Sequence, residues 1–231
     1  MLIYGRNVFY ETLKFAPKSV RNIIIQEDIH DKNIISIIKK YNISYKFRNK
    51  KDMDKLVNGI HQGIILDVVD YVYYSFEEEI SVGRFFVLLD HIEDVHNLGA
   101  ILRTCEAAGV DGIIVPKDRC APINATVMKT SAASLLRTKV IQVHNLVQTM
   151  DMLKKNGFWI VGTDMDGDDF KTIDYSGKIC LVIGNEGSGM SRLVRENCDF
   201  IASIPMYGDI NSLNASVSAG IMIYEVIRNR K

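Results

Sequence analysis

The stretch Leu181–Met190, which reads LVIGNEGSGM, joins an apolar run to a turn rich in glycine. The run Ile179–Ile183 is apolar throughout, as expected for a strand buried on both faces of a parallel sheet. The glycine spacing is GxxGxG, not the GxGxxG of dinucleotide-binding folds, and no GK[ST] ending of a phosphate loop follows. Such a turn lets the backbone approach a ligand closely, although a simple tight turn explains the glycines equally well. A tight turn needs no carboxylate, so Glu186 is a candidate functional residue.

Strands and helices alternate along residues 83–231, on both sides of this stretch. The runs that predict strands are Phe85–Leu89, Gly112–Val115, Lys139–Val143, Phe158–Gly162, Ile179–Ile183 and Phe200–Ile204. Helical periodicity is found at Leu98–Ala108, Leu146–Asn156, Ser191–Asn197 and Leu213–Arg230. Apolar strands that alternate with helices predict an α/β domain with a parallel sheet covered on both faces.

Residues 1–72 predict a smaller α/β domain. Strand patterns at Asn22–Gln26, Ile43–Phe47 and Gly63–Val69 alternate with helical patterns at Lys32–Lys40 and Asp52–Val57. The segment 73–82 shows no clear period and carries three glutamates in a row at 77–79, and we interpret it as a linker. The predicted division is therefore 1–72, a linker at 73–82, and 83–231.

Composition indicates a globular protein without membrane spans. The chain has 231 residues, of which 47% are hydrophobic, and no apolar run approaches the roughly 18–20 residues of a span. The N-terminus lacks a signal-peptide pattern, so we expect a cytoplasmic protein. The four cysteines, at 105, 120, 180 and 198, match neither a CxxC pair nor a compact disulfide framework, and we expect reduced thiols.

The net charge is zero, but its distribution along the chain is uneven. Residues 1–60 carry 12 Lys and Arg against 6 Asp and Glu, whereas residues 61–231 carry 16 against 22. The basic first quarter favours an anionic partner such as nucleic acid, and a Lys-rich solvated surface is the alternative. Within it, Tyr45–Lys51 (YKFRNKK) mixes basic and aromatic side chains, as an RNA-contacting edge or a charged strand end does.

A predicted helix begins near Asn97, which is a good N-cap residue. At about 100° per residue, one face of this helix is apolar and holds Leu98, Ile101, Leu102, Cys105 and Ala108. Arg103 points roughly 170° away from the middle of that face, so it lies either in solvent or in a cleft.

Two polar segments carry further candidates. Asn211–Ser216 (NSLNAS) begins the last helix, where Ser212 and Asn214 either cap the helix or contact a substrate. Asp164–Asp169 (DMDGDD) fails the spacing of a calcium-binding EF-hand, and we interpret it as a solvated acidic loop. His91 and His96 lack a cysteine at a usual ligand spacing, so we predict no metal site.

Three stretches together resemble the signature motifs of the SpoU (TrmH-like) branch of the SPOUT methyltransferases: Asn97–Gly109 (NLGAILRTCEAAG), Leu181–Met190, and Ser203–Ser218 (SIPMYGDINSLNASVS). Ile3–Val8 and Gly59–Gly63 resemble the N-terminal RNA-binding domain of ribosomal RNA members, which is similar to the L30e fold. The resemblance implies an L30e-like domain followed by a SPOUT α/β domain with a C-terminal trefoil knot.

The resemblance also implies a function. It is closest to the bacterial enzymes that methylate the ribose 2′-hydroxyl of a guanosine in large-subunit ribosomal RNA, with S-adenosylmethionine as cofactor and a homodimer as the assembly. Gly184, Ile204 and Leu213 match cofactor-pocket positions, and the active-site polar set is matched by Asn97, Arg103, Glu186, Ser212 and Asn214. In this view Arg103 clamps a phosphate and stabilises the developing alkoxide, Glu186 holds its guanidinium, and the last two residues orient the ribose.

Two departures and two alternatives accompany this resemblance. Lys129–Ala133 (KTSAA) stands where members often have a glycine, and Ser188 stands where the residue is often basic, which bears on substrate fit. A tRNA ribose methyltransferase is the alternative enzyme, disfavoured because the tRNA-specific relatives typically lack the N-terminal domain. A non-catalytic RNA-binding assembly factor is the other alternative, disfavoured because all five residues of the polar set are present.

Overall fold

The structure, a computed structural model, describes residues 1–29 and 31–230. Its strands are β1 (Leu2–Tyr4), β2 (Val20–Gln26), β3 (Tyr45–Arg48), β4 (Ile64–Val68), β5 (Phe85–Leu89), β6 (Gly112–Pro116), β7 (Val140–Val143), β8 (Phe158–Asp169), β9 (Lys178–Ile183) and β10 (Phe200–Ser203). Its helices are α1 (Arg6–Phe15), α2 (Lys32–Lys40), α3 (Lys50–Asp54), α4 (Phe76–Val82), α5 (Val95–Ala108), α6 (Ala125–Thr130), α7 (Leu146–Lys155), α8 (Arg192–Glu196) and α9 (Ala215–Asn229).

These elements form two compact units. The first comprises Met1–Val72 and Pro122–Arg137, and the second comprises Tyr73–Ala121 and the chain from Thr138 onward. The sequence-based division placed residues 122–137 in the C-terminal domain, whereas the structure packs them into the first unit. The reason is local packing, because α6 lies against β1 and Lys129 Nζ donates a hydrogen bond to the carbonyl of Ile60 (2.9 Å).

The first unit is built on a four-stranded sheet in the order β1-β4-β2-β3. The β2–β3 pair is parallel and the other two pairs are antiparallel. Consecutive residues of the central strands are buried, Ile23–Ile25 in β2 and Ile64–Leu66 in β4, so both faces of the sheet are covered. One cluster joins Tyr4, Ile24, Met53 and Ile65, with Ala125 packed against it. The edge strand β3 is exposed along its whole length, so its basic and aromatic side chains are accessible.

The second unit is built on a six-stranded sheet in the order β10-β8-β9-β5-β6-β7, and every pair in it is parallel. All five residues of β5 are buried, because helices cover both faces of the sheet. On one face α4, α7 and α8 contribute to a single apolar cluster with the strands. On the other, α5 packs against β6 and α9, and α9 packs against β9. The predicted α/β class and parallel sheet are confirmed.

Two segments that the sequence analysis interpreted as a linker and a loop are regular elements in the structure. The predicted linker contains α4, which Ser75 caps through its Oγ, and whose Phe76 and Ile80 are buried in the core. The predicted acidic loop is the second half of β8, because β10 shifts its register and pairs with Asp168 and Asp169. Gly167 is needed at the shift, since a Cβ there would lie 2.4 Å from the carbonyl oxygen of Ile201.

The structure also shows the state of the cysteines, the character of the helices and the grouping of residues that could bind a metal. All four cysteines are free thiols, and burial raises the pKa of Cys120 to about 11 and that of Cys198 to about 12. Among the described residues, no helix is long and apolar enough to cross a membrane. The same residues contain no group of three or more His, Cys, Asp and Glu placed to hold a metal ion.

Candidate functional site

The glycine-rich turn after β9 is closed by its own backbone. Asn185 and Gly189 exchange two backbone hydrogen bonds of 3.0 and 2.9 Å, and Gly189 has a φ of +65°, which favours glycine. A Cβ on Gly184 would lie 2.5 Å from the carbonyl carbon of Gly189, so glycine is required there too. The Asn185 side chain accepts from the Gly187 amide (2.9 Å) and donates to the His91 carbonyl (2.9 Å). This closed turn fixes the position from which Glu186 projects.

Glu186 lies at the centre of a hydrogen-bonded cluster. Its Oε1 accepts hydrogen bonds from the side-chain amides of Asn97 and Asn214 and from the backbone amide of Ala215 (3.3 Å). Asn214 Nδ2 also donates to Asn97 Oδ1 (3.0 Å). Three segments that are far apart in sequence therefore meet at one carboxylate.

The two asparagines of this cluster occupy different positions on their helices. Asn214 is the N-cap of α9, and its Oδ1 accepts from the amides of Ser216 (3.0 Å) and Val217 (3.3 Å). Asn97 is not the N-cap that the sequence predicted. Asp94 caps α5 instead, and its Oδ1 accepts a hydrogen bond from the backbone amide of Asn97 (2.8 Å). The helix begins earlier, so the Asn97 side chain is available for Glu186.

A cavity of about 310 Å³ lies beside the cluster. Its wall comes from the ends of β8 and β9, the glycine-rich turn, and the segment between β10 and α9. Of the residues that the sequence assigned to the site, it is lined by Gly184, Glu186, Ile204, Ser212 and Leu213. The structure thus brings seven of the eight assigned residues together, five on the cavity and two through Glu186.

The segment 204–213 has an unusual backbone. Its N–H and C=O groups form no backbone hydrogen bond within the parts of the chain that the structure describes. Polar backbone groups that line a cavity without an internal partner are available to a ligand. The neighbouring side chains Ile204, Met206 and Leu213 supply an apolar surface in the same cavity.

Arg103 is the eighth assigned residue, and the structure places it apart from the cavity. It is exposed on α5, and within the described residues it makes no hydrogen bond or ion pair. Six residues separate it from Asn97, which on a helix means about 120° around the axis and about 9 Å along it. Within the described residues no hydrogen bond or ion pair joins Glu186 to this guanidinium, and Glu186 Oε1 binds the two asparagine amides, so the expected contact is not present.

The acidic part of β8 has a partner that the sequence pattern did not indicate. Arg195 on α8 donates to Asp164 Oδ2 (3.0 Å) and Asp166 Oδ1 (2.6 Å). The hydrogen bonds to Asp166 and then Asp164 raise the pKa of the Arg195 guanidinium. Asp164 also lines the cavity, so this ion pair positions one of its polar walls. The opposite charges of the acidic run 164–169 and of Arg195 are visible in the sequence, but only the fold shows that they pair.

A cavity at the carboxyl ends of parallel strands, next to a turn that requires glycine, defines a nucleotide-type ligand site in an α/β enzyme. The SpoU rRNA methylase family model matches residues 84–224, and the model for the RNA 2′-O ribose methyltransferase substrate-binding domain matches residues 2–74. Together they cover nearly the whole chain.

Individual relatives agree with the family models. A candidate TrmH family tRNA/rRNA methyltransferase of Bacillus subtilis, YacO, is 40% identical over 99% of this chain and 95% of its own length. The SpoU methyltransferase AviRb of Streptomyces viridochromogenes, solved with AdoMet, aligns with a TM-score of 0.83 and 26% identity over 100% of this chain and 90% of its own. A TrmH/SpoU tRNA modifying enzyme of A. aeolicus is 34% identical, with a TM-score of 0.58, over 67% of this chain and 82% of its own.

The chain belongs to the SpoU rRNA methylase family. It is an S-adenosylmethionine-dependent RNA methyltransferase with an N-terminal substrate-binding domain and a catalytic α/β domain.

Proposed function

We propose that this protein methylates the ribose 2′-hydroxyl of a guanosine in large-subunit ribosomal RNA. In this proposal residues 1–72 bind RNA, residues 83–231 carry the reaction, and the knot is formed by the chain around 204–213. The observation that carries the proposal is the Glu186 cluster beside a cavity whose 204–213 wall has unpaired backbone groups.

The cavity fits S-adenosylmethionine by the chemistry of its walls. An adenine and its ribose need apolar contact together with backbone donors and acceptors, and the cavity offers both along 204–213. Ile204 and Leu213 would contact the adenine, and Gly184 would allow the turn to lie close to the ligand. When bound, the cofactor supplies a methyl group on a sulfonium, which is a good leaving group. The protein therefore contributes mainly positioning.

The polar cluster positions the attacking ribose. Glu186 Oε1 is occupied by the two asparagine amides, whereas its Oε2 has no hydrogen-bond partner among the described residues. That oxygen can accept a hydrogen bond from the ribose hydroxyl. Ser212 lines the same cavity and makes no hydrogen bond within the described residues, so its hydroxyl can contact the ribose as well. Asn97 and Asn214 keep the carboxylate in place.

Arg103 is assigned to the RNA and not to Glu186. Its exposed guanidinium has no partner among the described residues and stands on the helix that begins at the cluster. A planar fork of five donors suits a phosphate, and its positive charge favours an alkoxide that develops nearby. We assign Arg103 as a clamp on a phosphate next to the methylated nucleotide.

The substrate-binding domain at the N-terminal end of the matched region favours ribosomal RNA over transfer RNA as the substrate. The match to the substrate-binding domain at residues 2–74 gives this protein a basic domain before its catalytic one. The A. aeolicus enzyme, which modifies tRNA, aligns with only 67% of the chain.

A non-catalytic role is disfavoured because Glu186 and its two asparagines form a complete hydrogen-bonded cluster.

The proposal also includes the assembly of the protein and its location in the cell. Val217 and Tyr224, which are 48% and 52% exposed, lie on one face of α9, seven residues apart, and we propose that this face packs against a second copy. We place the protein in the cytoplasm, where its RNA substrate is found.

Methyl transfer from labelled cofactor to total RNA tests the proposal. We expect label in large-subunit ribosomal RNA, at a guanosine whose 3′ phosphodiester becomes resistant to alkali because the 2′-hydroxyl is blocked. Glu186→Gln should reduce transfer about 100-fold, since one positioned electrostatic group typically contributes that much. Glu196→Gln, at an exposed glutamate on α8 that pairs with Arg192, is the matched control and should leave transfer unchanged. Label in tRNA alone, or none in any RNA, would refute the proposal.

A further inference from the structure

A second cavity lies on the other side of the glycine-rich turn. It measures about 450 Å³ and is lined by His91, Glu93, Arg119, Asn185, Ser188, Gly189, Met190 and Ser191. Asn185, Ser188 and Gly189 line the first cavity as well, so the turn is a shared wall. Of its other residues, His91 and Glu93 follow β5, Arg119 follows β6, and Met190 and Ser191 follow the turn, all at the carboxyl edge of the same sheet.

Two charged side chains of opposite sign in this cavity have no partner. Glu93 and Arg119 are exposed, and neither forms a hydrogen bond or an ion pair within the described residues. A single phosphate would be attracted by Arg119 and repelled by Glu93. The cavity therefore suits a neutral ligand that offers both hydrogen-bond donors and acceptors.

The backbone beside the cavity is strained at two places. His91 has a φ of +61° and Arg119 a φ of +55°, and they are two of only six non-glycine residues with positive φ in the described parts of the chain. Such conformations are unfavourable for side chains with a Cβ and concentrate where a ligand is held. The buried carboxylate of Asp90 holds His91, with Oδ1 against the imidazole Nδ1 and Oδ2 on the Ser191 amide (2.6 Å).

We infer that this cavity binds a guanine base of the substrate RNA, with Glu93 and Arg119 reading its edges. Guanine presents two adjacent N–H donors, at N1 and N2, that a carboxylate accepts together, and two acceptors, O6 and N7, that a guanidinium donates to. Adenine places an amino group where O6 would be, and uracil offers a carboxylate only one donor. The imidazole of His91 adds an aromatic surface for the base.

This inference rests on the proposed function in one respect, that the substrate is RNA. The proposed function places a ribose at the first cavity, and Asn185, Ser188 and Gly189 line both cavities, so the base of the same or the adjacent nucleotide can enter the second. The guanine preference would then come from this chain's own residues.

Equilibrium binding tests the subsite without catalysis. The 5′-monophosphates of guanosine, inosine and 7-deazaguanosine are titrated into the full-length protein with S-adenosylhomocysteine present. We expect guanosine monophosphate to bind about 10-fold more tightly than either analogue, since inosine lacks the N2 amino group and 7-deazaguanosine lacks N7. Equal affinities, or no binding up to about 10 mM, would overturn the inference whether or not RNA is methylated.

Variants assign the contacts to residues. Glu93→Ala should abolish the preference for guanosine over inosine, and Arg119→Ala, which removes every side-chain donor, should abolish the preference over 7-deazaguanosine. Lys117→Ala, at a neighbouring cation that does not line the cavity, is the matched control and should keep both preferences. Unchanged affinity for S-adenosylhomocysteine shows that each variant is folded. Preferences that persist in both variants would refute the assignment.

RNA substrates then separate the two possible positions of the base. Inosine is placed at the methylated nucleotide or at each neighbour, and methyl transfer is measured. A loss of about 10-fold at one position, absent in Glu93→Ala, identifies the guanine that is bound. No loss at any position would contradict the subsite. A protein that prefers guanosine monophosphate but methylates no RNA would instead refute the proposed function and leave the subsite standing.

Discussion

Asn214 has two roles in the structure, and two substitutions separate them. Its Oδ1 caps α9 through the amides of Ser216 and Val217, and its Nδ2 donates to Glu186 and Asn97. Asn214→Asp keeps a capping oxygen but removes the amide donor, whereas Asn214→Ala removes both. Comparison of the two variants therefore distinguishes a helix cap from a residue that positions the catalytic carboxylate.

The expected effects on stability follow from capping. Loss of an asparagine N-cap costs about 1 kcal/mol, so Asn214→Ala should lower the Tm by roughly 2–4 °C in a chain of this length. Aspartate caps equally well, and its charge favours the N-terminus of α9 by about 0.3–1 kcal/mol. The new carboxylate replaces the amide that contacts exposed Glu186, and once the two side chains move apart their repulsion is about 1 kcal/mol and offsets that gain. We therefore expect Asn214→Asp to unfold within about 2 °C of the wild type.

The expected effects on activity are different. Both variants lose the donor to Glu186, and both should transfer methyl groups about 100-fold more slowly. The assay is turnover on ribosomal RNA at saturating cofactor, with thermal unfolding and cofactor affinity measured on the same samples. Asn145→Asp, the same change at the N-cap of α7, is the control and should retain full turnover. Wild-type turnover in Asn214→Asp would show that Asn214 only caps the helix and would refute this account of the site.

Three further predictions follow from the exposed surfaces. Arg103→Ala should reduce methyl transfer about 100-fold while cofactor affinity stays within a few fold, and retention of more than about a tenth of the activity would rule out the phosphate clamp. The protein should sediment as a dimer of the 26.1 kDa chain, and Tyr224→Glu should yield monomer, whereas a wild-type monomer at micromolar concentration would contradict the proposed interface. Replacing Lys46, Arg48 and Lys51 with alanine should flatten the slope of log RNA affinity against log salt by about two units, at roughly 0.7 per phosphate contact, and an unchanged slope would show that these residues are only solvated.

The fold was largely predictable because its signals are local. The α2 and β5 boundaries were predicted correctly, since each depends on periodicity within a few residues. The error at α4 was a misinterpretation of a signal that was present. Ser75 and Glu78 have the spacing of a capping box, and Phe76 and Ile80 lie one helical turn apart. The run of glutamates concealed that pattern.

The site was less predictable because its contacts are not local. Glu186 meets Asn97 across 89 residues and Asn214 across 28, and no periodicity encodes such a meeting. Residue types made each a candidate, and only the resemblance grouped them. Helical geometry correctly placed Arg103 off the core face of α5. It could not show that one carboxylate oxygen of the glutamate expected to hold this arginine binds two asparagine amides.

The division of the chain is the point at which local and non-local information conflict most. A cut at Gly83 follows the sequence pattern, yet it would remove Phe76 and Ile80 from the core of the second unit. Burial of each such side chain contributes about 1.5–3 kcal/mol, so the loss is a large part of the roughly 5–15 kcal/mol that keeps a domain folded. The chain also returns to the first unit at 122–137, so no single cut separates the two. RNA binding and methyl transfer therefore have to be separated by substitutions in the full chain and not by fragments.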